Sequence, residues 1–450
     1  MARCLAPVGR DSDADRLREH VRGPHDGAPG VSSVRRYLDA HRGRLAALLA
    51  ELIRIPTVNP PGRHYEDIAE LLARRCRSLG MAVETHRVPD SLTERRTGLS
   101  VYPRLSVVAH WRVGGARTLH FNAHYDVVPG MGPWRSGDPF VPVVTDRWVV
   151  GRGAADMKGS IAAWLLAVEA LRETSTQPAL DVECSFTPDE ETGGELGAGY
   201  LVRSGLVGAE YALVGEGGSG NEVGCGHNGV LWMRVAVQGR AAHASRPEQG
   251  VNAFDGMAEL VHALRGYRRT LRAARRRYRD PGGELRAPTV TLGGEFGGSA
   301  GDKINTVPAF ASFSIDRRIV PNEQPEAVER ELRQALLAAK RRLRVRCRSA
   351  VVLRIDPCVV EPEAPLPAAF ATAVRAVRRR TARARIASGF TDLHYFVEEL
   401  GIHGIGYGVR GLGAHGAHER VEIDELVRTA QVYAAFLQRG VQASEADHGS

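Results

Sequence analysis

Cysteine is scarce and scattered in this chain. Cys4, Cys76, Cys184, Cys225, Cys347 and Cys358 form no C-x-x-C pair, which argues against a disulfide framework and against a thiolate-built structural zinc site. Such usage fits a reducing cytoplasm. Long apolar runs are missing too: no stretch approaches the ~20 residues needed to cross a bilayer, so no membrane span is expected. The first thirty residues are rich in Arg, Asp and Gly and lack an apolar h-region, so no secretory signal is read there. Residues 1–32 are expected to form a disordered N-terminal extension. Three familiar catalytic signatures, H-E-x-x-H, G-x-x-x-x-G-K-[ST] and G-x-S-x-G, are absent. Gly224-Cys225-Gly226-His227-Asn228-Gly229 matches G-x-G-x-x-G literally, but it leads into the strand-like LWMRVAVQG rather than a helix, so a dinucleotide reading lacks its context.

Lysine is nearly absent as well, occurring only at positions 158, 303 and 340. The formal net charge of +8 is therefore an arginine excess. Eight arginines fall between Arg265 and Arg279. On a helix they form a solvated basic face, and arginine in place of lysine is a habit of the whole chain, so no nucleic-acid partner is read from them. With 450 residues, 43% hydrophobic and 25% charged, the chain is a globular protein long enough for two domains.

Helical spacing of Leu38, Leu45, Leu48, Leu49 and Leu52 predicts a helix over 34–52, and a second comes after it over 65–79. Strand-like runs at 105–113, 118–123, 180–186 and 211–214 alternate with a helix over 161–171, which predicts an α/β domain. The pattern changes after Gly229. A strand over 231–238, a helix over 251–277, strands over 289–292 and 311–317, a helix over 325–341 and a strand over 344–354 succeed one another. They predict an inserted α+β unit, a four-stranded sheet covered by two helices, spanning residues 229–355. The α/β pattern resumes with a helix over 367–379 and a strand over 404–407, so residues 33–228 and 356–440 form the first domain.

Chemistry is concentrated where these strands end. His124-Tyr125-Asp126 closes one run, and alternation on extended backbone puts His124 and Asp126 on the same side. There Asp126 can accept the second ring N–H of a metal-bound histidine. Asp156 follows the Gly-rich turn Gly151–Ala155 and precedes a helix; besides N-capping, its two oxygens can bridge two metals about 3.5–4 Å apart. Asp189-Glu190-Glu191 sets three acids side by side, an unfavourable arrangement unless cations or solvent relieve it. Adjacent glutamates allow one to ligate a metal and the other to serve as general base. Glu216 sits among glycines that permit close backbone approach. His415 and His418 compete for a last ligand position, and spacing does not choose between them. Histidine mixed with carboxylates, without thiolate, suits a hydrolytic zinc site.

Together NAHYDVVP, GRGAADMKGS, PDEETGG, LVGEGG and AHGAHERVEIDEL resemble the M20 family of dinuclear zinc peptidases and deacylases, in order over roughly residues 35–435. The resemblance implies a zinc-peptidase-like catalytic domain interrupted by a lid that usually dimerises. It implies two zinc ions per subunit, with cobalt or manganese as substitutes. His124, Asp156 and Glu216 would hold one ion; Asp156, Glu191 and the C-terminal histidine the other. Asp126 would orient His124 and Glu190 would be the base. The family's ligand lies four residues before a glutamate, which places it at His415, ahead of Glu419. His243 in GRAAHASRPEQG would be offered to the partner's active site to stabilise an oxyanion. Asn305 and Arg318 are nominated for the substrate carboxylate, with Gly389, Thr391 and Asp392 in a substrate loop. The implied activity is deacylation of an N-acyl amino acid or related small carboxylate, with a dipeptidase or carboxypeptidase as the alternative. A noncatalytic binding protein of the same fold is a third reading, and Glu190 argues against it.

Overall fold

The computed structural model describes residues 29–273 and 276–441. It opens with two helices, α1 (Pro29–Ala40) and α2 (Arg42–Ile53), where the sequence predicts one. The break falls at His41, whose backbone leaves helical angles and whose ring bonds the Tyr37 carbonyl at 2.8 Å. Pro29 suits a first helical turn, because the N–H it lacks has no partner there. Residues 29–32, expected in the extension, therefore belong to α1; residues 1–28 lie outside the described residues. Helix α3 (Tyr65–Ser78) buries Ile68, Leu72 and Cys76 and exposes its charged face.

Six strands come next: β1 (Ala82–Arg87), β2 (Leu105–Trp111), β3 (Thr118–His124), β4 (Asp181–Thr187), β5 (Tyr211–Ser219) and β6 (Glu222–His227). Between β3 and β4 runs α4 (Lys158–Glu173), apolar almost all round and buried at thirteen positions, as a helix inside a large core must be. The chain then crosses to a second sheet built from β7 (Gly229–Gln238), α5 (Ala253–Ala273), β8 (Thr289–Gly297), β9 (Phe310–Ile319), α6 (Pro325–Leu343) and β10 (Arg346–Ile355). It returns through β11 (Cys358–Val359), α7 (Pro365–Arg378), β12 (Arg383–Ala387), β13 (His403–Gly408) and α8 (Ile423–Arg439).

The main sheet runs β1-β2-β4-β3-β5-β13-β6-β11, with β12 also pairing β6. Its middle, β4-β3-β5-β13, is parallel. Register sets where the motifs emerge. β3 and β4 end level, His124 opposite Thr187, and β5 is level with them, Asn122 opposite Val214. Three motifs therefore leave one edge of the sheet together, outside the carboxyl ends of parallel strands, where open α/β sheets bind ligands.

The second sheet is ordered β8-β9-β7-β10 and is antiparallel throughout. Leu231, Met233, Val235 and Val237 of β7 join Leu260, Leu264, Leu332 and Leu336 in one core, so α5 and α6 cover a single face. The opposite face carries Trp232, Asp316 and Arg318, with Asp316 paired to Trp232 across the strands. α5 is described over Ala253–Ala273; residues 274–275 lie outside the described residues, and Arg276 and Arg277 are not helical, so the helix does not reach 277 as expected.

Candidate metal centre

His124 is 1% exposed, and its Nε2 has no hydrogen-bond partner among the described residues. That atom lies 3.3 Å from Asp156 Oδ1 and 3.8 Å from Glu190 Oε2. Asp156 Oδ2 lies 3.2 Å from His415 Nε2, which is 3.0 Å from Glu191 Oε2. The two oxygens of Asp156 thus face two different imidazoles. Ligand atoms of His124, Glu190 and Glu216 lie within 4.8 Å of one another, and so do those of Asp156, Glu191 and His415. Glu216 Oε1 is also buried without a partner. A Cβ on nearby Gly218 would come within 2.4 Å of Gly224 N, so the close backbone approach expected around Glu216 is real.

His418 does not enter this cluster. Its ring stands edge-on to Trp134, with centroids 5.9 Å apart. The structure thus brings His415, and not His418, to the carboxylates.

Loops carrying Asp156 and His415 spring from neighbouring strands of a small sheet that the sequence did not reveal: Gly411–Leu412, Arg420–Glu422, Trp148–Val150 and Val143–Val144. Glu419, fully buried, joins them. Its carboxylate accepts the backbone N–H groups of Gly153 (3.1 Å), Ala155 (2.7 Å) and Asp156 (2.9 Å), and Arg152 Nη1 at 2.5 Å. Arg152 Nη2 also reaches the Gly416 carbonyl at 3.2 Å. Asp156 is not the N-cap of α4, since Met157 holds that position.

Asp126 works differently in detail from the sequence expectation. His124 Nδ1 bonds its backbone oxygen at 3.0 Å, while carboxylate Oδ1 stands 3.4 Å away. The carboxylate instead accepts the N–H groups of Glu190 and Glu191, both at 3.2 Å, and Asn59 Nδ2 at 3.0 Å. It fixes the turn presenting both glutamates. Of the three adjacent acids, Asp189 points away from the others. It takes Arg104 Nε at 2.7 Å, Tyr65 Oη at 2.9 Å and Asn59 at 3.1 Å.

The remaining acids repel. Burial and the Glu216 charge push the Glu190 carboxyl well above its ordinary range; burial does the same to Glu216, against the opposing pull of His124. Asp156 and Glu191 raise His415 to about 10 through their hydrogen bonds. Protein groups alone leave this cluster short of positive charge, and its buried donor atoms without partners. Divalent cations would supply both needs, so the residues fit a pair of metal ions.

A cavity of about 570 Å³ opens over the cluster. Arg318, Gly389 and Thr391 line it, but His243 and Asn305 do not. Those two are exposed and lie together in the ladder pairing 242–243 with 306–307, where Asn305 O accepts the Ala244 N–H at 2.9 Å. Arg318 already holds Asp316 at 2.9 Å through Nε. Asp392 is 1% exposed, neither carboxylate oxygen has a hydrogen-bond partner among the described residues, and burial raises its pKa to about 7. Sequence reasoning missed Asn59, Tyr65, Arg104 and Arg152 entirely, and took Glu419 only as a spacing marker.

The sequence profile of peptidase family M20/M25/M40 matches residues 120–439. Over 304 residues the chain is 29% identical to acetylornithine deacetylase of Photorhabdus laumondii, covering 66% of this chain and 72% of that protein. Over 400 residues it is 27% identical to succinyl-diaminopimelate desuccinylase of Acidiphilium cryptum, covering 87% and 97%. Its fold superposes on the dipeptidase Dug1p of Saccharomyces cerevisiae with a TM-score of 0.76 at 17% identity, over 91% of this chain and 98% of that one. No helix among the described residues is long and apolar enough to cross a membrane. With the profile matching well over half its length, the chain belongs to peptidase family M20/M25/M40.

Proposed function

We propose that this hydrolase cleaves the amide bond of an N-acyl amino acid or related small carboxylate at the His124–Asp156–His415 cluster. One observation carries the reading: the two oxygens of Asp156 face His124 and His415, beside two groups of histidine and carboxylate donors, His124 with Glu190 and Glu216, and Asp156 with Glu191 and His415. In this proposal His124, Asp156 and Glu216 hold one divalent ion, and Asp156, Glu191 and His415 the other, zinc being favoured by the donor types. Such ions supply Lewis-acid polarisation of the carbonyl and acidify water.

The protein's own groups do the rest. Glu190, buried and held through its N–H by Asp126, takes a proton from the attacking water at its carboxylate. It returns that proton to the leaving amine, so that amide plus water gives carboxylic acid plus amine. Arg318 and Gly389, which line the cavity, are the candidate substrate contacts; Asn305, beside the His243 strand and outside its own cavity, would reach substrate only in the site of a second copy. Metal-reconstituted turnover of N-acetyl, N-succinyl and dipeptide substrates tests the reading. Cleavage of dipeptides alone would replace it with the dipeptidase alternative, and cleavage of none would reject it.

The competing histidines give a sharper test. His415→Ala is expected to weaken one of two metal sites, whereas His418→Ala, which removes only a contact to Trp134, leaves both. Metal titration by calorimetry reads the difference directly.

His243 is proposed to act in a homodimer joined through residues 229–355, completing the site of a second copy. Its exposure, and its absence from its own cavity, support this. Mixing inactive Glu190→Gln protomers with inactive His243→Ala protomers is expected to restore some activity, since one site of the mixed dimer combines both intact groups. No recovery in verified heterodimers counts against complementation.

A further inference from the structure

The cavity has two chemically distinct ends. All four acids that line it (Asp156, Glu190, Glu191 and Glu216) belong to the candidate metal centre. The rest of its charged lining, apart from His415, is Arg318, Arg385 and Arg410. Strand β5 connects the ends. Glu216, Gly217, Gly218 and Ser219 form one wall, and the turn begins at Gly220, where a Cβ would stand 3.8 Å from Arg410 Cδ. From Glu216 to Gly220 is four residues of extended chain, at most about 13 Å.

Two arginines at this far rim have donors to spare. Arg410 makes no hydrogen bond or ion pair among the described residues, although it lines the cavity. Arg385 gives Nη1 to Glu222 at 2.6 Å, while its Nε is buried with no acceptor among the described residues. An arginine on an ordinary surface is solvated and needs no partner, but a buried guanidinium N–H without an acceptor is costly. Trp232, packed edge-on to Phe390 at 5.8 Å, adds aromatic surface to the lining.

We infer that Arg385 and Arg410 form a subsite for a second carboxylate, so that the preferred substrates are dicarboxylates carrying an anionic group up to about 13 Å from the scissile amide. This rests on the amide-hydrolase reading and specifies its substrate class. The guanidinium fork suits a carboxylate by paired N–H donation. The carboxylate could sit on the acyl group or on the amino-acid side chain, and both place the same chemistry at the rim.

Three substrates separate these sources: N-acetyl-leucine, N-succinyl-leucine and N-acetyl-glutamate. At least one diacid is expected to exceed N-acetyl-leucine in kcat/KM by about 10–100-fold, mainly through KM. Arg410→Ala is expected to reduce that ratio about tenfold, Arg410→Lys less, and Arg385→Gln with Arg410→Ala to bring it near one. Equal kcat/KM across the wild-type panel, or a ratio untouched by the double variant, overturns the subsite. Calorimetry of glutarate against butyrate on the metal-loaded protein reads the same preference without bond cleavage. Glutarate is expected to bind more tightly, and the double variant to lose that advantage. Retained glutarate preference with no substrate cleaved would reject the hydrolase reading and keep the basic rim; cleavage with no discrimination would do the reverse.

Discussion

Glu190→Gln is expected to keep both metal ions and lose turnover by about 10²–10⁴-fold, the usual cost of removing a general base. The variant is nearly isosteric at a residue only 5% exposed. The hydrogen bond that fixes this residue runs from its backbone N–H to Asp126, so the substitution leaves the turn intact. What it removes is a proton acceptor 3.8 Å from the His124 ring. Metal content and kcat must be measured on the same sample, because Glu190 also lies within ligand distance of His124 and Glu216. Loss of one metal would make it a ligand. Near-normal turnover with both metals bound would remove it from the mechanism.

The candidate ligands were legible because each follows an apolar run or a glycine turn, its own local signal. His124, Glu191 and Glu216 follow apolar runs, and Asp156 follows a glycine turn. Parallel register then brings His124, Glu191 and Glu216 together, while the small sheet delivers the Asp156 and His415 loops. The alternation of strands and helices likewise gave the α/β arrangement and the four-stranded second sheet, with ends displaced by a few residues. Strand β1 was missed because AVETHR is an edge strand with little apolar content. The small sheet was missed because strands of two or three residues carry no period to detect. α8 is a different kind of miss: Leu426, Val427, Ala430, Tyr433, Ala434 and Leu437 do have helical spacing, so that helix was legible in principle.

Positioning partners were illegible for a deeper reason. Arg104 meets Asp189 across 85 residues, and Arg152 meets Glu419 across 267. An arginine in a chain full of arginine announces nothing about its partner. His243 and Asn305 illustrate the opposite limit: their motifs were found, yet a single chain does not bring them to the cavity.

Glu419→Ala is expected to cost about 3–5 kcal/mol of stability and to weaken both metal sites, although Glu419 is not among the candidate ligands. Removing one member of a buried ion pair strands the other, and Arg152 is 1% exposed. Three backbone N–H groups, at Gly153, Ala155 and Asp156, would lose their acceptor at the same time. Those groups set the path of the loop presenting Asp156, whose two oxygens face His124 and His415. The strand after Glu419 pairs with the strand before Gly151, so the His415 loop should loosen as well. Glu419→Gln keeps one carboxamide acceptor and should fall between the wild type and alanine in both stability and metal affinity. Chemical denaturation of the metal-free protein, set beside metal titration, separates the two effects. Stability lost with metal affinity unchanged would reduce Glu419 to a core ion pair. Unchanged stability in the alanine variant would mean that the loop does not depend on this carboxylate.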